Sequence, residues 1–591
     1  MFSIRRLPAG FALASLFLPS LAAQTTTRVS LGPGGIQADG ASRTPVLTPD
    51  ARYVAFESTA TNLVAGDTNG MTDVFVRDLV LGTNVRVSVD SAGVQANGAS
   101  VNARISADGR YVAFESEATN LVAGDTNLSA DVFVRDLLAG TTTRVDVSSG
   151  GVQANSDARM CSISADGRFV CFSSVASTLV SGDSNAVRDV FVRDLLTGQT
   201  VRASLSSGGL QANGHCHGGS LSADGRFVAF YSGATNLVGS DTNGILADVF
   251  LRDLVAGTTA LVSSDVSGVQ GNGPSLLPRL SPDGRYLAYE SSATNLVGGD
   301  TNGRMDVFVR DLQTGATRRS SVSSAGVEAN NDSDADSISA DGRFVSFTSS
   351  ASNLGNGSSG GPNCFVFDRV TGETVGVSVT PAGTAGNGTA GSSCLAAAGR
   401  FVVFESLASN LVSGDNNFTW DIFLRDRAIA PTTPFCLGDG TQSTACPCAN
   451  NGAAGRGCAN SSTSGGALLV ISAFAACPDS ATLTVGGLVP NALTLFLQGD
   501  AQIPGVVFGD GVRCVGGSSR RLYSVAATGT VARAPVPGYL PLGLQSAALG
   551  DPIVTGTSRW YQAWYRDADA SFCAAPQGGL SNVSSGVRVD W

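Results

Sequence analysis

The sequence predicts an all-β chain: a seven-bladed β-propeller closed by its own N-terminal strand, followed by a small disulfide-containing β-sandwich. Three observations predict it. First, a turn of the S-A-D-G-R type recurs, centred on Asp50, Asp108, Asp166, Asp224, Asp283 and Asp341, and a degraded A-A-A-G-R copy places Ala398 seventh. The spacings are 58, 58, 58, 59, 58 and 57 residues, a period that belongs to repeat architectures. Second, the seventh unit ends after its third strand, Asp421–Asp426. Third, a strand without a partner, Thr27–Leu31, precedes the first unit.

Each unit reads as four strands. A short first strand such as Arg104–Ser106 enters the Asp-Gly turn, and Tyr111–Ser116 leaves it. Asp-Gly between two apolar runs marks a hairpin, because Gly accepts the positive φ that such turns need. A long loop leads to Asp131–Leu137, and a turn at Ala139–Thr141 leads to a fourth strand, Thr143–Val147. Four antiparallel strands repeated seven times without helical periodicity predict a propeller. A linear stack of such units is the alternative, but it leaves an open edge at each end, whereas a ring pairs Thr27–Leu31 with Asp421–Asp426.

Residues 1–23 read as a secretory signal: Arg5 and Arg6, an apolar stretch from Phe11 to Leu18, and small residues Ala22 and Ala23 before Gln24. That stretch is too short to span a bilayer, and no later segment is long and apolar enough. Residues 24–430 form the propeller, 431–465 a linker and cysteine-rich segment, and 466–591 the β-sandwich. An exported chain, periplasmic, cell-surface or extracellular, is expected. Net charge is −11 and all 37 basic residues are arginine, so lysine Schiff-base chemistry and the P-loop lysine are excluded. Without a basic run, nucleic acid is not an expected partner.

The repeat resembles TolB-like, WD-type propeller repeats of exported bacterial proteins, most closely at Ser281–Ser291 (SPDGRYLAYES). The resemblance covers roughly residues 24–430 and implies the fold. TolB itself has an α/β domain before a six-bladed ring, and neither is visible here, so a role in the Tol–Pal system is not inherited. Propellers host many unrelated functions.

Two tight turns per unit crowd one face of the ring, and two long connections build the other, where a protein or glycan ligand is expected. The long second-to-third loop carries D-x-N and a further Asp: Asp67-Asn69-Asp73, Asp125-Asn127-Asp131, Asp183-Asn185-Asp189, Asp241-Asn243-Asp248, Asp300-Asn302-Asp306 and Asp415-Asn417-Asp421. The sixth unit keeps only Asn356 and Asn363. Alternating oxygen ligands, a glycine bend and a later carboxylate suit weak binding of Ca²⁺, resembling the calcium loops of FG-GAP propellers. The competing reading is that these residues cap turns and hold no metal.

Other motifs read mainly as structural. Gln95, Asn97, Gln153, Asn155, Gln211 and Asn213 ring the long-loop face, either to bind sugar or peptide or to lock blade to blade. The repeated Arg-Asp pair of the third strand (Arg77-Asp78 and counterparts) reads as a salt link between blades. His215-Cys216-His217 is a lone metal-type run. Gly357–Gly361 fits G-x-S-x-G formally but lacks the strand–turn–helix setting of a nucleophile elbow. Cys161 and Cys171 flank one turn and would bridge if Ser164 pairs with Arg168, whereas a one-residue slip would separate them.

Seven cysteines follow residue 431: Cys436, Cys446, Cys448, Cys458, Cys477, Cys514 and Cys573. Zinc is one reading of the first four, and export favours disulfides. Trp560 and Trp564 face one side of a strand, Tyr561 and Tyr565 the other, for sugar stacking or for burial on both sides. The module resembles a cysteine-rich C-terminal unit of exported planctomycete-like proteins. Together these features predict a non-enzymatic binding or scaffold protein. A secreted polysaccharide hydrolase or lyase acting on the long-loop face is the alternative.

Overall fold

The computed structural model describes residues 24–427, apart from 240, 357–360, 370 and 397–398, together with strands, one short helix and a few linking residues between 433 and 590. Residues 24–427 form seven four-stranded antiparallel sheets. In the second, Ser100–Ile105, Tyr111–Ser116, Asp131–Asp136 and Thr141–Arg144 pair in sequence order. The middle strands are buried on both faces, which is why they read as near-continuous apolar runs such as Val112-Ala113-Phe114. Each sheet pairs an aromatic from its second strand with one from its third, as Phe114 does with Phe133 at 5.8 Å.

The first strands touch their neighbours in a closed circuit, sheet one to two and onward to seven, then back to one. Thr25–Arg28 is the fourth strand of the seventh sheet, with Thr25 opposite Asp426 and Arg28 opposite Phe423. Val29, Val54, Phe56, Val403 and Ile422 share one apolar cluster between the first and seventh sheets.

The fourth strands begin and end earlier than the sequence suggests. Thr141–Arg144 stands where Thr143–Val147 was expected, and Thr25–Arg28 where Thr27–Leu31 was expected. Apolar alternation continues past Arg144, but the ladder does not. Val145 donates to Val132, and Val147 then folds back to bridge Gln153.

The Asp-Gly-Arg turns tie the blades together. Asp108 accepts from the Ser106 hydroxyl and the Arg110 backbone, while Arg110 forms an ion pair with Asp136 at 2.7 Å. Gly109 has φ 75°, and a Cβ there would stand 2.3 Å from the ring of Tyr53 in the preceding blade. The turn therefore needs glycine for backbone sign and for close approach.

Every first strand carries a β-bulge. In six of them the kinked residue has positive φ, Gly218 in the fourth blade and non-glycine residues in five others: Thr44, Asn102, Met160, Leu277 and Ser392. A glutamate of the preceding blade caps the bulge, with Asn102 N donating to Glu57 at 2.8 Å and Thr44 N to Glu405 at 2.6 Å. The bulge also decides between the two registers open to Cys161 and Cys171. Ser162, not Cys161, stands opposite Cys171, and the slip sends the two thiols into different inter-blade cores. Both are free, and burial pushes the Cys161 thiol up to about 12.

In the C-terminal part, Thr433–Phe435, Gly586–Asp590, Ser558–Arg566, Leu493–Gly499 and Arg520–Ala526 pair in that order, with Ser581–Val583 beside Ser558–Arg566. Leu468–Phe474, Cys477–Gly486 and Val531–Ala534 form a second sheet. Tyr561 and Tyr565 are fully buried with Phe496 and Leu483, while Trp560 and Trp564 on the opposite side are half-buried. Cys436, Cys446, Cys448, Cys458 and Cys573, and the side chains of Cys477 and Cys514, lie outside the described residues.

Candidate functional site

The six carboxylate loops do not come together. Each stays in its own blade and closes on its own fourth strand. The residue opposite the third-strand aromatic is Arg86, Arg144, Arg202, Arg319 and Arg28 in blades one, two, three, five and seven. These guanidiniums occupy the space between the two aspartates. Arg86 lies 3.2 Å from Asp67 and 3.8 Å from Asp73, and Arg144 lies 3.3 Å from Asp125 and 3.1 Å from Asp131. Arg202 meets Asp183 at 3.1 Å and Asp189 at 3.4 Å. Arg28 meets Asp415 at 3.2 Å and Asp421 at 3.5 Å, and Arg319 meets both Asp300 and Asp306 at 3.2 Å. The same sets are further tied by amides. Gln153 donates to Asp125 at 2.9 Å and Asp131 at 3.3 Å, and Gln211 to Asp183 and Asp189 in the same way.

The asparagine of each motif is a turn-former. Asn69 accepts from Met71 N and donates to Asp73 and to the carbonyl of Ala96, which lies in the connection to the next blade. A serine of the fourth-strand exit completes the set, as Ser88 does on Asp73 at 2.5 Å. Burial raises the pKa of Asp67, Asp73, Asp189, Asp300 and Asp421 despite these partners.

Two blades depart, and they depart differently. In the sixth, Asn363 replaces the second aspartate, Gly376 the arginine and Ala385 the glutamine. The charged members and the glutamine are lost together, and only the serine remains, Ser378 donating to Asn363 at 3.3 Å. In the fourth, Asp241, Asn243, Asp248 and Gln270 are retained, but Leu261 stands where the arginine belongs. Gln270 spans the two aspartates alone, at 3.0 and 2.6 Å, and the inserted residue leaves the carbonyl oxygen of Asn243 buried without a partner. Sequence reasoning missed the arginine. Its signal was present: an arginine 13 residues after the final aspartate in four units, missing only where the loop departs.

The remaining motifs resolve as follows. Within the Arg-Asp pair the two residues go separate ways, so the expected salt link between blades is corrected. Asp136 pairs with Arg110 of its own blade, which holds its carboxyl down at about 2, while Arg135 donates to the carbonyl of Asp90 in the preceding blade at 2.9 Å. Asn97 and Asn155 lock loop to loop, donating to Thr119 and Ser177. The His215 and His217 rings lie 5.9 Å apart, but Cys216 between them points into the core, so the run offers no three-ligand face. Residues 357–360 of the G-x-S-x-G string lie outside the described residues.

No family model matches the chain, and no curated protein matches it. Its structural neighbours are TolB-like and WD-type β-propellers. TolB from Acinetobacter baumannii is similar at 18% identity and TM-score 0.27, over 47% of this chain and 56% of that one. The β-propeller domain of Cps50 (Swd1) from Myceliophteria thermophila gives 12% and 0.36, over 65% and 96%. Oligogalacturonate lyase in complex with manganese gives 13% and 0.44, over 69% and 94%. Among the described residues, no helix is long and apolar enough to cross a membrane and no group of three or more His, Cys, Asp or Glu side chains is placed to hold a metal.

Proposed function

We propose that this is an exported, non-enzymatic binding or scaffold protein, a ring sealed by its leading strand that presents its long-loop face to a protein or glycan ligand. One observation supports this best. The long loops are tied down by hydrogen bonds and, in blades two and seven, by ion pairs, yet at their tips they hold large apolar side chains out in water. Leu128 is 85% exposed, Ile245 85% and Phe418 87%. Leu128 and Phe418 also hold positive φ, of 52° and 55°, where the first and fifth blades use glycine. A bulky residue in that backbone region is strained, and strain concentrates where a surface is used. Glycan and peptide arrays probed with the wild type and with Leu128→Ser/Phe418→Ser test the reading. Binding lost in the variant at unchanged Tm supports it. Turnover of a bound polysaccharide overturns the non-enzymatic part.

Within this reading the calcium expectation contracts to the fourth blade, whose two aspartates face Leu261 in place of a guanidinium. A single weak site, Kd roughly 10⁻⁴–10⁻³ M as in extracellular modules, is the expectation. Calorimetry with Asp241→Asn as control checks it, and absence of heat at millimolar Ca²⁺ sinks it.

A further inference from the structure

The seven first strands line the centre of the ring, and their register places one residue of each at the same level: Val46, Arg104, Ser162, Ser220, Arg279, Ser337 and Cys394. Two of the seven are cations. Arg104 comes from the second blade and Arg279 from the fifth, three blades apart, so they stand on opposite sides of the channel.

Neither forms an ion pair with a described carboxylate, although many arginines of the propeller do. Arg104 donates only to its neighbour's carbonyl, Ala103 O, at 2.8 Å. Arg279 donates through Nε to the backbone carbonyl of Asp336 at 2.9 Å, and through Nη1 weakly to Pro278 O at 3.4 Å. Their other guanidinium nitrogens have no described partner, and both side chains are partly exposed. Of the acids around them, Asp336 accepts from Thr348 and Ser393 and Glu115 from Met160 N, while Glu290, whose charge also acts on Arg279, keeps one carboxylate oxygen buried without a partner.

The two charges reach each other. Burial lowers the pKa of Arg279 and the charge of Arg104 lowers it further, and both arginines act on the Cys394 thiol of the seventh blade. Like charges facing each other across the ring repel. The group that removes the repulsion is an anion with two or more oxygens, which guanidinium forks bind bidentately.

We propose that the central channel binds an oxyanion, a carboxylate or sulfate group, between Arg104 and Arg279. This site is separate from the loop tips of the long-loop face, and its test does not depend on any ligand found there. Thermal unfolding of the full chain in sodium sulfate or sodium acetate is compared with sodium chloride at equal ionic strength. A saturable rise in Tm is expected in the wild type with at least one anion, and the anion that acts identifies the chemistry. Arg104→Gln and Arg279→Gln are expected to lose at least tenfold in affinity for it while being no less stable than wild type in chloride, since each removes a repulsion. Arg104→Lys, which keeps charge but loses the fork, should fall between. Equal Tm in all three salts, an unchanged response in the Gln variants, or Gln variants that unfold in chloride would overturn the proposal.

Discussion

The guanidinium of Arg144 lies 3.1 Å from the carboxylate of Asp131, in the space that an oxygen-ligated cation would otherwise fill. The same relationship holds in five of the seven blades. Each of these loops thus has a fixed cation supplied by its own blade.

Arg144→Leu recreates the fourth blade in the second. Asp125 and Asp131 would remain buried without their cation, and stripping one partner from a buried pair costs about 3–5 kcal/mol. Urea unfolding reads the loss directly. Leu261→Arg is the reciprocal change, and it should raise stability at low calcium, because Asp248 is almost fully buried with burial raising its pKa.

The second blade carries a further difference. Where other blades place a serine that donates to the aspartate, it places Asp146, fully buried beside Asp131. Burial, then the charge of Asp131, raises the pKa of Asp146 well above the usual carboxylate range. A protonated Asp146 can donate to Asp131 as Ser88 donates to Asp73. A carboxyl whose folded pKa is raised contributes stability fully present below its unfolded pKa and lost as pH rises through the folded value. Asp146→Ser should therefore flatten the decline in stability above about pH 4, and equal slopes for variant and wild type would refute the shared proton.

Blade-to-blade packing through the glycine turns is testable by contrast. Gly167 has φ 74°, and its Cβ would lie 2.2 Å from the ring of Tyr111. Gly66 has φ 75° with nothing within 4 Å. Gly66→Ala should cost only the backbone strain, about 1–2 kcal/mol. Gly167→Ala adds overpacking, about 1–3 kcal/mol more. Chemical denaturation of the two variants should show that gap.

Cys161 and Cys171 should resist alkylation in the native protein and label as free thiols once it is unfolded. Peptide mass spectrometry distinguishes this from a bridge, which would leave both unlabelled under denaturing, non-reducing conditions.

What was legible in the sequence followed from local rules. The Asp-Gly-Arg turns fixed the period, and runs such as Tyr111–Ser116 fixed the middle strands, because hairpin chemistry and double-sided burial both act over a few residues. The bulge at Met160 was not legible, since nothing in its type announces positive φ, and that single slip decided the fate of the cysteine pair. The role of Arg144 was hidden for another reason. It meets Asp125 and Asp131 only after the third strand has paired with the fourth, 13 residues beyond Asp131. The loops therefore read either as calcium loops or as capped turns, and the arginine that lies between their carboxylates in five blades stays out of view.

Closure of the ring depends on Thr25–Arg28 completing the seventh sheet. Thr27 stands opposite Leu424 across that pairing, so the double variant Thr27→Cys/Leu424→Cys brings an exposed and a half-buried thiol within reach of each other. Oxidation should join residues 27 and 424 in the peptide map and raise Tm. A chain that stays unlinked there, or that links residue 27 to any other strand, would contradict the closed ring.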